Sequence, residues 1–133
     1  MIDLELPEGA YLGWRYVDRR RSIDRRQLYY DDGRVEAIEG DRRWQLCRFS
    51  EDEVGAAKAA IVDSGLPEAV DAPVVTASDT APVVYAWRLD EREGRVANMS
   101  YPAADHPALE RLDALLAEIE EAAGCWPLLA DDG

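Results

Sequence analysis

The strongest constraint on the fold is an Asp-Gly turn between two short runs of strand-forming residues. Gln27–Tyr30 and Arg34–Ile38 flank Asp31-Asp32-Gly33. An Asp-Gly pair in this setting is typical of a β-hairpin, because both residues tolerate a positive φ. A second turn, Glu39-Gly40-Asp41, leads directly into Arg42–Phe49. The sequence therefore predicts an antiparallel meander over this part of the chain.

Three other segments also have the composition of strands. They are short and rich in aromatic and β-branched residues, which favour extended structure. Because side chains alternate along a strand, Trp14 and Tyr16 are expected on one face of the first segment, and Tyr85 and Trp87 on one face of the second. The three segments are Ala10–Val17, Val83–Leu89 and Arg95–Tyr101.

Two helices are predicted from their ends and their apolar spacing. Ser50 and Glu53 form a capping box that opens a helix over Glu51–Asp63, and Gly65 ends it. Asp105 or His106 caps a second helix, which has Pro107 in its first turn. The expected inward stripes are Val54, Ala57 and Ile61 in the first helix, and Leu109, Leu112, Leu116, Ile119 and Ala123 in the second.

Strand runs with helices between them indicate an α+β fold. We expect an antiparallel sheet of about five strands with both helices on one face, which leaves the other face partly open. The length of 133 residues fits a single domain over residues 1–133. Residues 67–82 are predicted to be an internal loop, and residues 130–133 a frayed tail.

The charge is strongly negative and unevenly distributed. The net charge is −13, and residues 51–133 carry the whole excess, because the ten acidic and ten basic side chains of residues 1–50 cancel. Such a surface repels nucleic acid and anionic lipid, which need clustered cations. The expected partner is another protein, and nucleic acid is disfavoured.

No targeting or membrane segment is expected from the sequence. The first residues lack a positive region and an apolar region, and no run approaches the length of a membrane span. Two cysteines, Cys47 and Cys125, are too few for a disulfide framework and lack the spacing of metal ligands. We therefore expect buried free thiols and a cytoplasmic location.

Candidate catalytic residues all have simpler interpretations. The single histidine, His106, is explained by helix capping, and nothing in the sequence brings either cysteine near it. No glycine-rich phosphate loop, nucleophile elbow or zinc-binding helix motif is present. The sequence thus predicts no catalytic residue, no cofactor and no metal.

One basic, aromatic cluster is the candidate binding site. Its arginines could stack with nucleic-acid bases, but Asp18 and Asp24 oppose a polyanion. They could instead pair with acids of the same chain, or form a protein-binding patch, since Arg, Tyr and Trp are enriched at interface hot spots. The cluster consists of Arg19, Arg20, Arg21, Arg25, Arg26, Trp14, Tyr29 and Tyr30. Because Tyr29 and Tyr30 are adjacent, one of them must point away from the helices.

The order of elements has a family resemblance. Leu28-Tyr-Tyr-Asp-Asp-Gly-Arg-Val35, then Phe49-Ser-Glu-Asp-Glu53 opening a helix, then a strand pair and a closing helix, resembles small bacterial α+β families and the small protein inhibitors of thermolysin-like proteases. The resemblance lies in the order of elements with common turn and cap residues, and it carries no site residue over.

The sequence favours a non-enzymatic protein-binding module, accessory or regulatory, that presents a sheet face or the arginine hairpin. One alternative is a small enzyme with a pocket between sheet and helices. Another is an acidic inhibitor that mimics nucleic acid. A cavity lined by carboxyls with shifted pKa values would favour the enzyme, and a flat apolar patch would favour the binding module.

Overall fold

The computed structural model describes residues 3–74, 80–101 and 104–125. These residues form an antiparallel six-stranded open sheet and two helices, so the α+β class is confirmed. All six segments with strand composition form strands, so the sheet has six where we expected about five. In chain order the elements are β1 Ala10–Asp18, β2 Ile23–Tyr30, β3 Arg34–Glu39, β4 Arg42–Arg48, α1 Glu51–Asp63, β5 Ala81–Leu89, β6 Arg92–Tyr101 and α2 Pro107–Ala122.

The first strand joins the two halves of the chain into one sheet. The strand order is β4-β3-β2-β1-β5-β6, and β1 pairs with both β2 and β5. Trp14 lies opposite Gln27 on one side and Tyr85 on the other. Side chains in such directly opposed positions share a face of the sheet. This register brings residues from distant parts of the sequence together.

The Asp-Gly hairpin forms as predicted between β2 and β3. Gly33 has a φ of +97°, and its N–H donates to the Tyr30 carbonyl at 2.9 Å. A Cβ at this position would collide with the Phe49 carbonyl. Glycine is therefore required here both by the backbone conformation and by the close approach of the next strand's end.

Both helix starts follow the predicted capping. The Ser50 hydroxyl accepts from the Glu53 N–H at 3.2 Å, and the Glu53 carboxylate accepts from the Ser50 N–H at 2.8 Å. His106 is the N-cap of α2, and Pro107 takes its first position. Of the predicted stripes, Val54, Ala57, Ile61, Leu109, Leu112 and Leu116 are buried, whereas Ile119 and Ala123 are partly buried.

The main core lies between the sheet and the two helices. It contains residues of α1 and α2 together with Leu12, Tyr29 and Trp87 from three strands. We call this side of the sheet the helix face. The cluster is continuous from β4 to β6, since Leu46 and Val96 belong to it as well.

The opposite side of the sheet is less open than we expected. Leu4 and Leu6 pack there in two small clusters, one with Val84 and one with Leu28. We call residues 3–9 the strap and this side the strap face. The strap covers part of this face, since its two leucines pack here and not in the main core.

The predicted loop over residues 67–82 is shorter than expected. A single 3₁₀ turn, Leu66–Glu68, follows α1, and β5 already begins at Ala81. Between them, the Ala72 N–H donates to the Ala97 carbonyl at 2.9 Å and so covers part of the β6 edge. The predicted frayed tail, residues 130–133, lies outside the described residues.

The prediction of free thiols is wrong. Cys47 on β4 and Cys125 after α2 form a disulfide across 78 residues. Their spacing in the sequence gave no sign of this pairing, because the packing of α2 over the sheet is what brings them together. The disulfide ties the C-terminal end of α2 to the sheet.

Candidate functional site

The β1–β2 turn exposes three of the candidate arginines. Asp18 is buried, and its carboxylate accepts from the N–H groups of Arg20 at 3.2 Å and Arg21 at 3.3 Å. Ser22 completes the turn with a φ of +56°. The turn is thus held from inside by Asp18, while the side chains of Arg19, Arg20 and Arg21 are exposed.

The other two candidate arginines point to opposite faces of the sheet. Arg25 lies on the helix face, with its guanidinium 5.7 Å from the ring centroid of Trp44. Arg42 approaches the same indole at 5.4 Å. Arg26 follows Arg25 in β2 and therefore points to the strap face. The arginines do not form one patch.

Two of the three candidate aromatic residues are buried. Tyr29 is 1% exposed in the main core, and Tyr30 is 6% exposed on the strap face. The prediction that these neighbours point in opposite directions is confirmed. The Tyr30 hydroxyl donates to Glu36 at 3.0 Å, and Arg34 stacks on its ring at 4.2 Å. In this structure neither tyrosine is available to a partner.

The third candidate aromatic residue, Trp14, lines a cavity of about 740 Å³ between the sheet and α2. Arg25 lies on its wall as well, so the structure brings together two of the eight candidate residues there. Tyr16, Tyr85 and Tyr101 add three more aromatic rings to the lining. The rings of Tyr16 and Tyr101 meet edge to face, with centroids 6.3 Å apart and an interplanar angle of 87°.

Most of the buried polar groups in this wall have partners. Asn98 donates to the Ala104 carbonyl at 2.9 Å and accepts from the Ser100 N–H at 3.2 Å. His106 accepts from the Leu109 N–H through Nδ1, and its Nε2 lies 2.7 Å from the Val70 carbonyl. Both ring nitrogens are therefore occupied, and the histidine serves as the helix cap that the sequence predicts.

Tyr85 differs from Asn98 and His106 in its hydrogen bonding. It is 6% exposed, and its hydroxyl has no hydrogen bond within the described part of the chain. Burial and the nearby Asp113 and Glu120 carboxyls raise its pKa, so the phenol stays protonated. The cavity wall therefore carries a hydroxyl that has no partner among the described residues and that a ligand could satisfy.

Carboxyl groups from the start of α2 complete the lining. Asp105, Glu110 and Asp113 border the cavity and are exposed to solvent. Partial desolvation of the Asp113 carboxyl raises its pKa. None of the three carboxyls forms an ion pair with another described residue. We call these three residues, together with the half-exposed Tyr101, the mouth of the cavity.

A polar cluster lies next to the cavity, under the last turns of α2. The Glu120 carboxylate accepts from the Gln27 amide and from the Tyr29 hydroxyl, each at 2.8 Å. Burial raises the pKa of Glu120, and these two hydrogen bonds oppose that rise. The cluster fixes the far end of α2 on the sheet, as the disulfide does.

Sequence reasoning did not identify the site residues of the second half. A signal was present for two of them. Alternation placed Tyr85 on a face with Trp87, and Asp113 lies four residues after Leu109, at the edge of the apolar helix stripe. Their convergence with Trp14 and Tyr16 depends on the pairing of β1 with β5, which periodicity does not reveal.

The chain matches no model of a known protein family and no curated protein sequence. The resemblance in the order of elements therefore gains no support from these comparisons. Across residues 3–74, 80–101 and 104–125, no group of three or more His, Cys, Asp or Glu side chains could hold a metal ion. No helix among these residues is long and apolar enough to cross a membrane.

Proposed function

We propose that this protein is a non-enzymatic binding module and that the cavity between the sheet and α2 is its binding site. The observation that carries the proposal is the combination of aromatic walls with the Tyr85 hydroxyl, which has no hydrogen-bond partner among the described residues. Ligand sites are concave and mostly apolar, contain a few polar groups, and have volumes of about 300–1,000 Å³. The cavity volume of about 740 Å³ lies within that range.

The arginine turn fits this proposal as a neighbouring surface. It connects Tyr16 in β1 to Arg25 in β2, and both residues line the cavity. A partner protein that placed a side chain in the cavity could therefore extend its contact to Arg19, Arg20 and Arg21 in this turn. The strap face offers less free surface, since residues 3–9 cover part of it.

The enzyme alternative keeps one specific observation in its favour. Asp113 borders the cavity and has a raised pKa, and perturbed carboxyls are concentrated at catalytic sites. A compound that binds in the cavity and is converted would favour this alternative over the binding module. The acidic inhibitor stays a prediction, and its binding would weaken steeply with salt because exposed charges are screened.

The cytoplasmic location also stays a prediction. The disulfide between Cys47 and Cys125 counts against it, because disulfides persist in oxidising compartments and are rare in the cytosol. Trapping the thiols with an alkylating agent at the moment of cell lysis tests the location. Alkylated cysteines would favour the cytoplasm, and an intact disulfide would favour an oxidising compartment.

The binding site is tested by filling the cavity. Val83 lines it, whereas Val62 is 56% exposed on α1, so Val83→Trp and Val62→Trp are matched variants. A fragment library of cations, anions and neutral aromatic compounds is screened by thermal shift against both variants and the wild type. We expect compounds that raise the Tm of the wild type and of Val62→Trp but not of Val83→Trp. Compounds that stabilise all three proteins equally would place the site elsewhere.

The turn is tested separately. Reversing Arg19, Arg20 and Arg21 to Glu should leave the Tm unchanged, since exposed turn substitutions seldom alter stability. It should weaken the binding of a protein partner purified from the source organism. A partner that binds the triple variant normally, with no dependence on salt, would remove the turn from the binding surface.

A further inference from the structure

We infer that the ligand of this cavity is an organic cation whose nitrogen is alkylated, as in a quaternary ammonium group. The inference rests on the proposed function and adds the chemical class of the ligand. Three features of the cavity support it: the aromatic lining, the unpaired carboxyls at the mouth, and the scarcity of free hydrogen-bond acceptors deeper inside.

The aromatic lining provides faces for a cation. Trp14, Tyr16 and Tyr85 come from the adjacent strands β1 and β5, and Tyr101 ends β6. A cation within about 6 Å of such a ring is attracted by the negative charge of the ring face. The edge-to-face contact of Tyr16 and Tyr101 turns their ring planes almost perpendicular to each other. The four rings therefore give the cavity lining several places at which a cation could contact an aromatic ring.

The charge at the mouth is negative. Asp105, Glu110 and Asp113 contribute three carboxyls without ion pairs to other described residues. Among the described lining residues the one cation is Arg25, whose guanidinium lies over Trp44 and opposes the rise that burial causes in the pKa of Glu120. Its charge is thus partly balanced by a carboxylate of the adjacent polar cluster. The excess of negative charge among these lining residues favours a positively charged ligand over an anion.

The hydrogen-bonding groups favour an alkylated nitrogen over a primary ammonium. The side chains of Asn98 and His106 already bond to backbone groups, whereas the Tyr85 hydroxyl has no partner among the described residues. A primary ammonium has three N–H donors that would lose their water in the cavity without enough acceptors. A quaternary ammonium has no N–H donors, so it avoids this cost.

Three isosteric probes test the charge of the ligand. Choline is the cation, 3,3-dimethylbutan-1-ol is its neutral counterpart, and 3,3-dimethylbutanoate is an anion of the same shape. We expect choline to bind at least about tenfold more tightly than the neutral probe by calorimetry or NMR titration, and the anion to bind more weakly still. Neutral and cationic probes of equal affinity would overturn the inference.

Asp113→Asn should weaken choline binding about fivefold and leave the neutral probe unaffected. Glu118→Gln is the matched control, because this exposed carboxyl lies on the same helix but does not border the cavity. The wild type should lose choline affinity as the pH falls through the pKa of Asp113, and this loss should be absent in Asp113→Asn. Other titratable groups also face this region, namely Tyr16, Arg25, Tyr85, Tyr101, Asp105, His106, Glu110 and Glu120. A pH profile that persists in Asp113→Asn would assign the effect to one of these groups and remove Asp113 from the inference.

The failures of the two proposals can be told apart. If choline does not bind but fragments bind the wild type and not Val83→Trp, the binding site stands and the cationic class is wrong. If no probe and no fragment depends on Val83, the proposed function itself fails. A short peptide containing trimethyllysine distinguishes the source of the cation. Binding tenfold tighter than choline would indicate a methylated side chain of a partner protein, and equal or weaker binding a free small molecule.

Discussion

The two faces of the sheet are covered in different ways, and the difference explains where the molecule can bind a ligand. On the helix face, two helices and residues of all six strands form one continuous cluster, yet a cavity remains beside the first turns of α2. On the strap face, a single extended segment packs with Leu4 and Leu6 into two small clusters. A rigid helix cannot follow the twist of a sheet at every point, whereas an extended segment can.

The strap is held largely by hydrogen bonds to its backbone. Arg88 donates to the carbonyls of Leu6, Pro7 and Ala10 at 3.3–3.4 Å, and Arg15 donates to the Asp3 carbonyl at 2.9 Å. These contacts fix the path of the strap, which adds only Leu4 and Leu6 to the two small clusters. We therefore expect the helix face to supply most of the stability, and the strap face to tolerate change.

The largest expected effect is on the helix face. Leu116→Asp should unfold the protein, because an unpaired buried carboxylate costs several kcal/mol against a total stability of roughly 5–15 kcal/mol. Glu118→Ala, two residues away and exposed, should change the free energy of unfolding by less than about 0.5 kcal/mol. Circular dichroism melts compare the two variants, and equal Tm values would show that the phase assigned to α2 is wrong.

Two leucine substitutions, one on each face, compare how much the two faces contribute to the free energy of unfolding. Leu112 of α2 is fully buried, and Leu4 is 6% exposed in the strap. Leu112→Ala should cost roughly 3–5 kcal/mol, as expected for a core cavity that cannot collapse. Leu4→Ala should cost less than about 2 kcal/mol, because the strap can shift to fill the space. Urea denaturation gives both values, and equal costs would refute the contrast between the faces.

The disulfide, which joins a strand to the end of α2, should stabilise the whole protein. Reduction of the Cys47–Cys125 bond should lower the free energy of unfolding by roughly 2–4 kcal/mol, since it opens a long closed loop in the unfolded chain. The double variant Cys47→Ala with Cys125→Ala should not respond to reductant. Thermal melts with and without reductant provide the measurement. If reductant does not change the Tm of the wild type, the disulfide contributes nothing to stability.

Two tyrosine hydroxyls provide the finest comparison. The Tyr11 hydroxyl is buried on the helix face without a hydrogen-bond partner among the described residues, whereas that of Tyr30 donates to Glu36 on the strap face. Tyr11→Phe should stabilise the protein by about 1 kcal/mol, because it removes an unsatisfied polar group. Tyr30→Phe should destabilise it by about 1 kcal/mol. The same sign for both changes would contradict these hydrogen-bond assignments.

Local chemistry made much of the fold predictable. The capping box at Ser50, the helix end at Gly65 and the hairpin at Gly33 each depend on a few neighbouring residues, and each is confirmed. The candidate site was less predictable, because its residues come from both ends of the chain. Trp14 and Arg25 were identified, whereas Tyr85, Tyr101 and Asp113 were not.

The sequence by itself determined the positions of the helices and strands, the turns between them and the negative charge of the second half. Backbone conformation, capping and alternation act over a few residues, so they can be read locally. Only the tertiary structure decided that β1 pairs with β5, that Cys47 meets Cys125, and that α2 leaves a cavity above Trp14. These contacts join residues far apart in the chain, and they are selected by the packing of whole elements rather than by any local pattern.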